Sequence, residues 1–132
     1  MPAGSGPMVQ QAAAAPVTTS EVIILTMPPG NWNGALATLV SVSANYSPSA
    51  SGTAIVFRVR QGNALTGTLV GVPRTSTVAN PNSYELGFEV QDASAFGQAQ
   101  QGGQYCVTAQ GTGAGGTLNI ITMEQETVAP IS

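Results

Sequence analysis

Period-two alternation is clearest in Tyr84-Glu85-Leu86-Gly87-Phe88-Glu89-Val90-Gln91. Tyr84, Leu86, Phe88 and Val90 point one way, and Glu85, Glu89 and Gln91 the other, as a half-buried strand requires. Residues 53–60 behave alike, with Ile55, Phe57 and Val59 inward and Arg58 and Arg60 outward. The pattern predicts eight strands, at 21–27, 35–46, 53–60, 66–72, 74–79, 83–91, 103–110 and 117–125. Turn formers separate them: Pro28-Pro29-Gly30, Asn33-Gly34, Ser47-Pro48-Ser49, Gln61-Gly62-Asn63, Asn80-Pro81-Asn82 and the glycine-rich run 111–116. Short strands at this spacing predict an all-β sandwich or barrel.

Two runs break the alternation. Val22-Ile23-Ile24-Leu25 and the run Leu118 to Met123 carry apolar residues on both faces of a regular strand. A strand apolar on both sides is normally covered on both sides. In a two-layer sandwich the second cover comes from another subunit or from the N-terminal segment. Ile23, Leu25, Leu118, Ile120, Ile121 and Met123 are therefore the expected interface between copies.

The first 19 residues, MPAGSGPMVQQAAAAPVTT, hold Pro, Ala and Gly without charge or clear period. They divide the chain into an extended N-terminal arm, 1–19, and a β-sandwich domain, 20–132. The arm is expected either to be pinned by a neighbour or partner, through Met8, Val9, Pro16 and Val17, or to pack back on its own domain. No Lys or Arg stands near the N-terminus, and residues 12–17 are too short a run for a signal-peptide core, so export by that route is not expected. The mostly apolar run 22–27 is only six residues long, too short for a membrane-spanning helix.

Charge narrows the function. Of 132 residues, six are acidic and three basic, with His absent. The charged share, 7%, compares with about 25% in an ordinary soluble domain. Arg58, Arg60 and Arg74 are the only cations, too few to displace counterions along a nucleic acid. Without His or Lys there is no imidazole base and no Schiff-base amine. Glu85 and Glu89 lie about 13 Å apart along a strand, beyond the roughly 5–9.5 Å of paired glycosidase carboxylates. They read as a solvated face, opposite Arg58 and Arg60 on a neighbouring strand. One Asp, Asp92, and the two glutamates near the C-terminus make a calcium site within one chain improbable. The lone Cys106 forms no intrachain disulfide and reads as a small buried residue in a strand. The glycines of 111–116 precede another strand, so they read as a hairpin connection and not a phosphate loop. Neither a catalytic residue nor a cofactor or metal site is expected. Trp32 and Tyr46, large rings beside turns, are the candidate recognition loop.

The run Thr53-Ala54-Ile55-Val56-Phe57-Arg58-Val59-Arg60-Gln61-Gly62, then Thr66-Gly67-Thr68-Leu69-Val70-Gly71, is similar to central strands of small jelly-roll domains. With Tyr105-Cys106-Val107-Thr108 and Leu118-Asn119-Ile120-Ile121-Thr122-Met123, it resembles the tumour-necrosis-factor-like fold of trimeric tailed-phage decoration proteins and fibre heads. The resemblance spans residues 53–125 and rests on strand spacing. It implies a jelly-roll homotrimer on a virion surface, a cement protein that stabilises the head by binding the major capsid protein through its arm. It implies no enzyme activity. The alternatives are a receptor-binding knob that grips host glycans, and a self-assembling capsid subunit.

Overall fold

The computed structural model describes residues 5–10, 15–27, 37–47, 54–77, 84–94, 104–112 and 116–128. Among them are nine strands: β1 (Ser5–Gln10), β2 (Ala15–Pro16), β3 (Val22–Thr26), β4 (Ala37–Ser47), β5 (Ala54–Gln61), β6 (Leu69–Thr77), β7 (Tyr84–Asp92), β8 (Tyr105–Gly111) and β9 (Thr117–Val128). One antiparallel sheet runs β1-β9-β4-β7, with β2 continuing β1 along β9; the other runs β3-β8-β5-β6. Counting β1 and β2 as one strand, the orders are 1-8-3-6 and 2-7-4-5. Successive strands alternate between sheets except at β5–β6, and this is the jelly-roll double Greek key.

Alternation builds the core. Val40, Val42, Ala44 and Tyr46 of β4 face Ile55, Phe57 and Val59 of β5 and Tyr105, Val107 and Ala109 of β8. The Phe57 ring lies between those of Tyr46 and Phe88, with centroids 6.2 and 6.3 Å away. All are buried, and Val17, Met27, Val70, Val90, Leu118, Ile121 and Met123 complete the cluster.

Two expectations are corrected here and a third is narrowed. Of the two placements expected for the N-terminal segment, outward against a partner or back on its own domain, the structure shows the second: it lies along β9, with Met8 opposite Glu124, Val9 opposite Met123 and Pro16 opposite Thr117. It supplies the eighth jelly-roll position. The two strands expected at 66–72 and 74–79 are one, β6, bent where Gly71, Val72 and Pro73 bulge opposite Arg58. An edge strand tolerates proline at such a bulge, so Pro73 did not end it. Finally, β8 and β9 belong to different sheets, so they are not the two arms of a hairpin.

Candidate assembly surfaces

Glu21 is the only formal charge in the first 57 residues, and it enters β3 beside the outer face of its sheet. There Arg58 and Arg60 project outward from β5, because Phe57 and Val59 take the inward positions, and Thr108 projects outward from β8. Arg60 grips Glu21 with both prongs: Nε donates to Oε2 at 2.7 Å and Nη2 to Oε1 at 3.0 Å. Thr108 Oγ1 donates to Oε2 at 2.6 Å, and Arg58 Nη1 stands 3.5 Å from Oε1. Arg60 Nη1 also donates to the Gly67 carbonyl, and Arg58 Nη1 to Gln110 Oε1. The Arg60 bond is the main reason the Glu21 carboxyl sits below the ordinary carboxylate range, with the Thr108 hydroxyl and both guanidinium charges adding to it against partial burial. Such a bidentate, charge-assisted pair fixes geometry. Here it anchors the passage between the sheets, where Val17 N donates to Gly116 O, Gly111 N to Thr18 O and Gln110 Nε2 to Thr19 O.

A second polar cluster joins the two sheets. Asp92, at the end of β7, is buried. Its Oδ2 accepts from Tyr105 Oη at 2.8 Å and Gln61 Nε2 at 2.9 Å. Its Oδ1 accepts from Ser94 N at 3.0 Å and Ser94 Oγ at 2.5 Å. Burial alone would raise this carboxyl, but the bonds from Ser94, Tyr105 and Gln61 outweigh it and hold the group below its usual range. Burial, then the bond to Asp92, drives the Tyr105 hydroxyl well above the ordinary tyrosine range. With its four donors in place the carboxylate is a structural tie, and the arrangement offers no group poised to take a proton from a substrate. Cys106 is fully buried, which pushes its thiol up and leaves it inert. Among the described residues no three His, Cys, Asp or Glu side chains group as metal ligands, and no helix is long and apolar enough to cross a membrane.

The remaining acids lie on strands of one sheet. Glu85, Glu89 and Gln91 of β7 stand in register with Asn45, Ser41 and Leu39 of β4, and these with Ile120, Glu124 and Glu126 of β9. The inward rows between them hold Val40, Val42 and Ala44, and Glu89 and Glu124 are exposed on the outward rows of the sheet. Ser41 Oγ donates to Glu89 Oε2 at 3.1 Å, and Asn119 Nδ2 donates to Asn45 Oδ1 and Ser47 Oγ. Arg58 and Arg60 are on the opposite sheet, so the expected pairing with Glu85 and Glu89 does not occur; β5 and β7 are never neighbours.

The residues expected between copies divide. Leu118, Ile121 and Met123 are wholly buried in their own core and cannot meet a second subunit. The cause is a bulge at Asn119, where Tyr46 pairs with Leu118 but Asn45 with Ile120. One extra residue reverses the parity, so Leu118 and Ile121 face the same way. Ile120 stands in register with Asn45. A second bulge, at Ile24, lets both Ile24 and Leu25 pack on the core while Ile23, level with Thr108, stays on the outer face. Val17 is buried and Pro16 exposed, which leaves Met8, Val9 and Pro16 on the edge of the sheet. Tyr46 packs against Phe57 and is no recognition group. Trp32 lies outside the described residues. Sequence reasoning missed Glu21 and Asp92, although a single charge in a long neutral stretch and a single Asp ending an alternating strand were both readable signals.

No family model and no curated protein matches the chain. Solved structures do. A chain of dimeric latent PorU from Porphyromonas gingivalis is 10% identical over 94% of this chain and 11% of its own length, at a TM-score of 0.51. A protein in the structure of the Gx strain of infectious bursal disease virus is 8% identical over 98% of this chain and 38% of that one, at 0.50. The Bacillus endospore appendages, described as disulfide-linked pili, are 17% identical over 98% of this chain and 90% of that one, at 0.44. The chain thus spans well under two thirds of the first two. At these identities the likeness concerns the fold, and functions on this fold are many.

Proposed function

We propose that the chain is a non-enzymatic structural subunit of a protein shell, in the form of a decoration protein on the capsid surface of a virion. The observation that carries this reading is where its nine charges go. Glu21, Arg58 and Arg60 satisfy one another and Asp92 is buried. What is left is Arg74, exposed on β6, and four glutamates on β7 and β9 of a single sheet, of which Glu89 and Glu124 are exposed. The rest of the surface is nearly free of ionic groups, a poor coat for a small protein that stays apart from its neighbours. In this reading copies trimerise, and the sheet edge that bears Met8, Val9 and Pro16 meets the major capsid protein. Each such contact stabilises the closed shell relative to the opened one.

The test is to purify virus-like particles and the particle-free fraction from producing cells and quantify the chain in both by mass spectrometry, with cryo-electron microscopy of the particles. A fixed number of copies per particle, seen as density on the shell surface, is the expected result. A chain confined to the particle-free fraction would overturn the reading.

A further inference from the structure

We infer that β1 is an exchanged strand: in the assembly, β1 of one copy lies along β9 of an adjoining copy, in the place that its own β1 takes in the single chain. The inference rests on the reading of the chain as a shell subunit and names the segment by which copies join.

The site and its occupant are both visible in the single chain. Strand β9 pairs on one side with β4, from Val128 opposite Ala37 to Thr117 opposite Ser47. Its other side takes Ser5 opposite Glu126, Met8 opposite Glu124, Val9 opposite Met123 and Gln10 opposite Thr122. Without β1 that side is an edge of unpaired N–H and C=O groups, which another strand can fill. The rest of the sandwich holds this edge in place unaided. Strand β4 positions β9, and Val17 is anchored separately, buried in the core with its N–H donated to the Gly116 carbonyl.

What holds β1 is slight. Its register breaks between Ser5 and Met8, Pro7 has no N–H to give the ladder, and among the described residues no strand lies beyond it in the sheet. An element held by so few backbone bonds opens at low free-energy cost. The same hydrogen bonds form whether β1 comes from the same copy or from the next, so exchange needs no new surface and joins copies cheaply. Close spacing of copies on a shell then favours it through effective concentration. Length permits it. Gln10 stands seven residues before Val17, a reach of at most about 25 Å when extended. Charge selects the occupant. Glu124 and Glu126 stand at the paired positions of β9, so a second β9 alongside would bring like charges together, which is destabilising. Strand β1 is uncharged, and no formal charge precedes Glu21.

Isotope mixing on a chain with cysteines at paired positions provides the test. Met8 and Glu124 stand opposite each other in the ladder, where Cα atoms lie about 4.5–5.5 Å apart, within disulfide range. Cys106 is buried and does not compete. Full-length Met8→Cys/Glu124→Cys chains, unlabelled and isotope-labelled, are mixed equally in urea and refolded together. They are then oxidised at micromolar to millimolar concentration, and the linked peptides are read by mass spectrometry. Ser5→Cys/Glu126→Cys, also a paired position, replaces the first variant if that does not fold. Linkages between a labelled and an unlabelled chain are expected to rise with concentration until they equal those within one isotope. Met8→Cys/Glu89→Cys is the control, its positions three strand spacings or about 14 Å apart, and should give at least about tenfold fewer mixed linkages. Linkages confined to one isotope at every concentration overturn the inference, as do mixed linkages equally frequent in the control. A chain found on particles that links only within itself loses the exchange and keeps the decoration reading. A chain that exchanges β1 yet stays in the particle-free fraction does the reverse.

Discussion

Glu21 and Asp92 do for this chain what a larger set of ion pairs does elsewhere. Both carboxyls are held below the ordinary range in the folded protein, so each binds its proton less readily than in the unfolded chain. Their stabilisation is therefore present above the unfolded carboxylate value of about 4 and lost as pH falls through the folded values. Replacing Glu21 with Gln removes the charge from the Arg60 fork. A loss of about 1–2 kcal/mol at pH 7 is expected, measured by urea unfolding. The gap between wild type and variant should narrow in acid, where the wild-type carboxyl also becomes neutral. A gap that stays constant with pH would show that the ion pair is not its source.

At the level of strands, two glycines separate what the fold demands from what it leaves open. Gly71 has positive φ, and an added Cβ would stand 2.8 Å from Val90 Cγ1 on the facing sheet. Gly71→Ala is expected to destabilise by at least about 1–2 kcal/mol. Gly87→Ala, at a position with room and ordinary backbone, should stabilise the monomer by up to about 1 kcal/mol. Thermal melts of the two variants under conditions that keep the chain monomeric make the comparison; equal effects would contradict the described bulge. The same strands show what could be read beforehand. Alternation in β5 and β7 placed Phe57, Val59, Phe88 and Val90 correctly, because regular pairing preserves parity. It failed at Ile24 and Asn119, where one extra residue turns a run that looks two-sided into a one-sided strand. It failed at Pro73 because a bulged edge and a strand break share a sequence signature. Asp92 and Glu21 escaped because their partners come from other strands, Tyr105 across the sandwich and Arg60 two strands away in the same sheet, and such contacts leave no local pattern.

For the molecule as a whole, the N-terminal segment changes meaning. An external arm could be removed without harm to the body. As β1 and β2 it covers one side of β9, and Val17 belongs to the core. Deleting residues 1–14 should therefore speed hydrogen exchange along residues 122–126, which lose their β1 neighbour, and lower the melting temperature. Unchanged exchange there would mean that β1 is not held on β9 in solution. The fold of the sandwich was legible from strand spacing, whereas the place of this segment was not, since an uncharged Pro–Ala stretch has no period to distinguish a tether from an edge strand.

The pairing of β1 with β9 also governs when the protein can be finished. Strand β1 leaves the ribosome well before β9, and until β9 arrives β4 lacks its neighbour on one side and the sheet cannot close. Every shorter nascent length is an incomplete sandwich with Val40, Val42 and Tyr46 uncovered on one side. Closure between the two ends of the series comes last and through long-range contacts, a topology that folds slowly.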